Sequence, residues 1–135
     1  MSELKLHKVL IVDDERFLRM TIRALLRGIG HFDVMEADDG DVALVKAETW
    51  CPDVVLCDVT MPRMGGLRFV EELRKHPQVQ LHDTPVLFLT GHNDISTVED
   101  AKRLGVSGYL VKPLSQALLS AGLQRVFGKE WSPTR

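Results

Sequence analysis

Short apolar runs alternate with longer amphipathic stretches along this chain. Val9-Leu10-Ile11-Val12 is the first run, and it ends in Asp13-Asp14. From Glu15 to Arg27, helical spacing places Phe17, Leu18, Thr21, Ile22, Leu25 and Leu26 on one side, with Arg16, Arg19, Arg23 and Arg27 mostly opposite. Gly28 and Gly30 are expected to stop that helix. Asp33 to Ala37 predicts a second strand, followed by Asp39-Gly40. Val42, Ala43, Val45, Ala47 and Trp50 predict a second helix reaching about Thr49, with Pro52 beyond it. Val54-Val55-Leu56-Cys57 is a third strand that runs directly into Asp58. A loop with Pro62, Gly65 and Gly66 leads to a third helix in which Leu67, Val70 and Leu73 point one way. His76 to Thr84 is long and polar for a helix-to-strand connection, so an exposed excursion is expected there. Pro85 to Thr90 is the fourth strand. Ile95 to Leu104 is the fourth helix, with Asp94 as its N-cap and Val98, Ala101 and Leu104 inward. Gly108 to Val111 is a fifth strand stopped by Pro113, and Leu114 to Phe127 is the last helix.

Five strand–helix units in strict alternation predict an α/β fold, a parallel sheet with helices on both faces. Strands that are apolar throughout suit a sheet covered on both sides. Right-handed crossovers can cover both faces only if the strand order reverses somewhere. No linker, repeat or low-complexity segment interrupts the pattern. The expectation is one domain over residues 1–135, with a core at about 8–127 and a frayed, flexible tail at 128–135.

Composition narrows the function. A chain of 135 residues can bury a real core, roughly two-thirds of its unfolded surface. A net charge of −2, with no basic run, gives no field that would draw nucleic acid or an anionic membrane. No apolar stretch is long enough for a signal peptide or a membrane span, so the expected location is cytoplasmic. Cys51 and Cys57 match no common zinc spacing and are expected to be free thiols. The five histidines are scattered and none is taken as a metal ligand.

The acidic residues carry the chemistry. In a parallel sheet the carboxyl ends of the strands share one edge, where ligands bind. Asp13 and Asp14 end the first strand, Asp58 the third, Thr90 the fourth and Lys112 the fifth, so all five should meet. Crowded carboxylates raise one another's pKa, and a divalent cation removes that penalty. Oxygen-only ligands with open positions suit magnesium, with manganese as a substitute. Lys112 supplies a cation for an anion, and Thr90 a hydroxyl donor. Nucleophile, metal, cation and donor are the parts that phosphoryl transfer needs. Taken singly, Asp13-Asp14 could instead cap the first helix, and Asp58 could cap a loop.

These residues resemble the response-regulator receiver family of two-component signalling. The matching blocks are Val12-Asp13-Asp14, Asp58 with Met61-Pro62-Arg63-Met64-Gly65-Gly66, Leu89-Thr90-Gly91, and Gly108-Tyr109-Leu110-Val111-Lys112-Pro113. The resemblance runs from about Lys8 to Phe127. It implies a flavodoxin-like, CheY-like (βα)5 fold with strand order 2-1-3-4-5. It also implies that Asp58 accepts a phosphoryl group from a sensor histidine kinase or a histidine phosphotransfer protein. Asp14 would bind magnesium directly, Asp13 through water, and the Thr60 carbonyl would complete the protein's share. Lys112 would pair with the phosphoryl oxygens. Thr90 would move toward them, and Tyr109 would rotate inward. That motion would reshape a binding face made of the fourth helix, fifth strand and fifth helix, for a downstream protein target. Thr60, Gly91 and His92 would border the phosphoryl group, and Thr60 and His92 would influence its lifetime. Gly66 stands where many members of the family have aspartate followed by glycine.

On this reading the chain is not a turnover enzyme but a phosphoacceptor that assists its own phosphorylation and dephosphorylation. Three alternatives compete. An aspartyl-nucleophile phosphatase would need a second acid where Thr60 stands. A flavin-binding module would need a loop after the first strand that welcomes phosphate, and Asp13, Asp14 and Glu15 would repel one. A receiver cut from a larger multidomain regulator would carry the same blocks.

Overall fold

The structure is a computed structural model that describes residues 6–91 and 95–133, with backbone alone at 95–97. His92 and the expected cap Asp94 lie outside the described residues. Five parallel strands form one sheet: β1 His7–Val12, β2 Phe32–Ala37, β3 Val54–Asp58, β4 Val86–Thr90 and β5 Gly108–Val111. Their order is β2-β1-β3-β4-β5, as the family resemblance implies. The helices are α1 Arg16–Ile29, α2 Gly40–Trp50, α3 Gly66–Arg74, a single turn α4 Val79–His82, α5 Ile95–Arg103 and α6 Gln116–Phe127.

Successive residues of a strand face opposite sides, and here both sides are apolar because both are covered. Leu10, Val12, Val55, Cys57 and Phe88 pack under α2, α3, α4 and α5, against Ala43, Ala47, Phe69, Val70, Leu73, Leu81 and Ala101. Val9, Ile11, Val54, Leu56, Leu87 and Leu89 pack under α1 and α6, against Ile22, Leu26, Ile29, Leu119 and Leu123. Each fully buried Val, Leu, Ile or Phe side chain among them contributes about 1.5–3 kcal/mol. The reversal between β2-β1 and β3-β4-β5 sends the crossovers to opposite faces and puts the switch point of the sheet at the carboxyl edge beside β1 and β3, where ligands of such sheets bind.

Several expectations need correction. Gly28 does not stop α1: the helix runs through it to Ile29, and the Gly30 amide closes the end on the Leu26 carbonyl. Phe17 is not on the buried side but 80% exposed, because the face of α1 that meets the sheet is set by Ile22, Leu26 and Ile29. Val45 is likewise exposed, since only the small Gly40, Ala43 and Ala47 let α2 approach the strands closely. The stretch from His76 to Thr84 is not simply an exposed excursion. It contains α4, whose Leu81 is fully buried. The Arg74 guanidinium anchors it by donating to the carbonyls of His82 at 2.9 Å and Thr84 at 2.8 Å. The last helix begins at Gln116 rather than Leu114, because the Ser115 hydroxyl accepts from the Leu118 amide and caps it. Nor is the tail simply frayed. Trp131 packs on Phe127 with ring centroids 5.5 Å apart, and Gln124 donates to its carbonyl.

Candidate phosphoacceptor site

Strand register brings the acids together. Val12 pairs with Cys57, so the next residue of each strand, Asp13 and Asp58, emerges side by side at the carboxyl edge. Asp58 in turn pairs with Leu89 and Thr90 with Val111, which delivers Thr90 and Lys112 to the same edge. The Lys112 amide donates to the Thr90 carbonyl at 2.7 Å, tying the ends of β4 and β5.

Asp13 is fully buried, Asp58 and Thr90 nearly so, and Asp14 is exposed. Neither acid of the first pair caps α1: its N-cap is Glu15, which makes no side-chain cap bond. Asp13 instead accepts from the Glu15 amide through Oδ1 at 2.8 Å. Its other oxygen, Oδ2, is buried and has no hydrogen-bond partner among the described residues. Lys112 Nζ lies 3.6 Å from that oxygen and 3.4 Å from Oδ1 of Asp58. The Thr60 amide donates to the same Asp58 oxygen at 3.4 Å. Thr60 itself is exposed, and so is Gly91, around which an added Cβ would meet nothing within 4 Å among the described residues. Tyr109 is half-buried against the cluster that α3 and α5 cover.

The electrostatics point one way. Burial raises the Asp13 carboxyl above the ordinary aspartate range; the Glu15 amide and Lys112 only partly offset this, and Asp14 adds to it. Burial likewise raises Asp58, helped by the Asp13 charge and opposed by Lys112 and the Thr60 amide. Burial and the same two acids push the Cys57 thiol far up, which makes it an inert core group. Both cysteines are free.

One carboxylate oxygen from each of Asp13, Asp14 and Asp58 falls within 4.8 Å of the others. A buried oxygen that has Lys112 nearby but accepts no hydrogen bond among the described residues, inside an all-oxygen cluster, is what a hard divalent cation would satisfy, so the residues present fit such an ion. The site is an acidic cradle with one ammonium at its wall, suited to an anion that arrives with or onto a cation.

Three supporting residues carried no signal along the chain. Arg19, expected on the solvent side of α1, is 15% exposed and donates to the Asp13 carbonyl at 2.7 Å. Glu36, an acid in an otherwise mostly apolar strand, receives Arg19 and Arg23. Asp39 caps α2 at the Val42 amide and pairs with Arg63, whose φ is +62°. Together with the bond from the Gly40 amide to the Met64 carbonyl, this seats the loop that follows Asp58. The structure also relocates one departure from the family. A Cβ at Gly66 would lie 2.1 Å from the Asp58 carbonyl oxygen, so no aspartate can stand there. The position open to a side chain is Gly65.

Comparison with known proteins agrees with this geometry. The family model described as the response regulator receiver domain matches residues 9–124. Chemotaxis protein CheY-3 of Vibrio cholerae is 36% identical over 120 residues, covering 89% of this chain and 91% of that protein. Transcriptional regulatory protein YdfI of Bacillus subtilis is 34% identical over 84% of this chain but only 52% of its own length. The crystal structure of Vibrio cholerae CheY4 superposes with a TM-score of 0.83 at 38% identity, over 90% of this chain and 99% of that one. With the receiver model over most of its length and the CheY-like sheet order beneath it, this chain belongs to the response regulator receiver domain family of two-component signalling.

Proposed function

We propose that this chain is a single-domain response regulator whose switch is phosphorylation of Asp58. The observation that carries the reading is the convergence of Asp13, Asp14 and Asp58 with Lys112 3.4 Å from the Asp58 carboxylate. In the proposed reaction an Asp58 oxygen attacks the phosphorus of a phosphohistidine on a kinase or phosphotransfer protein. The P–N bond breaks, its electron pair stays on the imidazole, and an acyl phosphate forms. Asp13, Asp14, Asp58 and the Thr60 carbonyl would hold magnesium. When bound, magnesium would neutralise charge on the transferring group. Lys112 meets the phosphoryl oxygens. The Thr90 hydroxyl donates to them, and Tyr109 repacks as Thr90 moves. The added charge of about −2 thereby biases the face of α5, β5 and α6, where a downstream protein binds. Turnover is not the output: the chain acts as a stoichiometric acceptor in the cytoplasm. Among the described residues no helix is long and apolar enough to cross a membrane.

Beryllofluoride with magnesium imitates the phosphoryl group and tests the reading. The Tyr109 environment should change in the wild type and not in Asp58→Asn, and an unchanged wild-type spectrum would refute the switch. A second reading, a receiver belonging to a longer regulator, is favoured by the match to YdfI, only half of which this chain covers.

A further inference from the structure

We propose that Arg19 is a positioning residue for the acidic site: it fixes the peptide between Asp13 and Asp14, and Glu36 holds it in that pose. The role rests on the proposed reading of the site as a metal centre.

Arg19 spends two donors of one planar group on two different acceptors. Nη1 donates to the Asp13 carbonyl at 2.7 Å, and Nε donates to Glu36 Oε1 at 2.8 Å. That carbonyl belongs to the peptide joining the two acids. A peptide is planar, so turning its carbonyl also turns the amide that leads into Asp14. Asp14 is exposed, with no packing to hold its side chain, so the backbone beneath it sets the point from which its carboxylate reaches the cluster. The rest of Asp13 is pinned: its amide donates to the Ala37 carbonyl at 3.1 Å and its Oδ1 accepts from Glu15. With these three anchors made, Oδ2 is the atom left facing Lys112 and the cluster.

Glu36 is placed to keep Arg19 from turning away. One of its oxygens takes Arg19 and the other takes Arg23, one turn further along α1. The carboxylate also ties the helix that follows the acids to β2, the strand whose end anchors the Asp13 amide. A lysine at position 19 would keep the charge but could not reproduce two fixed directions from one plane. Groups that orient ligands in this way typically carry 10–100-fold in metal affinity.

The test is a manganese titration of the full chain, with free ion counted by electron paramagnetic resonance and magnesium as competitor. Wild type, Arg19→Lys, Glu36→Gln and the double variant are compared, and thermal unfolding is followed in parallel. The expected result is about a 10-fold weaker site in Arg19→Lys. A smaller loss is expected in Glu36→Gln, and no added loss in the double variant, because Glu36 acts through Arg19. A folded Arg19→Lys that binds manganese as tightly as the wild type overturns the inference, even if it melts earlier, because Arg19 is then only a staple between α1 and β2. A wild type that binds no manganese overturns the metal reading beneath it. Glu36→Gln offers the same decision if Arg19→Lys does not fold: full affinity there removes Glu36 from the role.

Discussion

Lys112 Nζ stands 3.4 Å from Asp58 Oδ1, so the residue that follows the last strand supplies the cation for the acid that ends the third. The same ammonium lies 3.6 Å from Asp13, and one positive charge therefore faces two buried carboxylates. Burial is what chiefly leaves both acids above the ordinary aspartate range, and the one ammonium offsets it only in part.

Removing the cation should worsen the imbalance. Lys112→Met is expected to lower the stability of the metal-free protein at pH 7 by on the order of 1–3 kcal/mol, since a buried charge loses its partner. Magnesium should restore part of the loss. Urea unfolding with and without magnesium measures both, and an unchanged midpoint would show that Lys112 contributes nothing to holding the acids.

Removing an acid should do the reverse. The folded-state pKa of Asp58 is raised, so the metal-free native protein binds the Asp58 proton more tightly than the unfolded chain does. Its contribution to stability therefore falls as pH rises from the ordinary aspartate value of about 3.9 through the folded value. Asp58→Asn should unfold at higher urea than the wild type at pH 7 without magnesium. The gap should close toward pH 4 and on adding the ion. A less stable variant at pH 7 would contradict a raised Asp58 pKa in the folded protein.

Glu36 carries the opposite sign. Burial would raise its pKa, but the hydrogen bonds from Arg23 and Arg19 and their charges outweigh that and hold it below the ordinary glutamate range. Its stabilisation is present above the unfolded value of about 4.3 and is lost as pH falls through the folded one. Glu36→Gln should cost about 1 kcal/mol at pH 7 and progressively less below pH 4, as read from urea midpoints across that range. A cost independent of pH would assign the effect to packing.

The two neighbouring glycines should behave differently. Gly66→Ala forces a Cβ to 2.1 Å from the Asp58 carbonyl oxygen and 3.0 Å from the Val59 Cα, both backbone atoms. It should cost about 1–3 kcal/mol or more and distort the phosphoacceptor loop. Gly65→Ala meets its nearest atom at 3.4 Å on an ordinary negative φ of −75° and should change stability by less than about 0.5 kcal/mol. Thermal melts of the two variants decide this, and equal losses would refute the distinction.

Read along the chain, the residues already held the five strand runs, the places where Asp13, Asp14, Asp58, Thr90 and Lys112 end them, and the alternation that makes those ends share an edge. Such features are local and periodic, so burial on a strand or helix face leaves its mark in neighbouring residues. The strand order came from resemblance, because no local pattern encodes which strand lies beside which. Folding alone settled that Phe17 faces outward, that Leu81 turns a polar stretch into a seated helix, that Trp131 closes on Phe127 and that Gly66 has no space beside Asp58. It also turned Arg19 from a surface cation into a neighbour of the Asp13 carbonyl. Each of these depends on how the packed chain settles, at separations as short as four residues for Phe127 and Trp131 and six for Asp13 and Arg19, and a contact made by packing leaves no period for a single sequence to display.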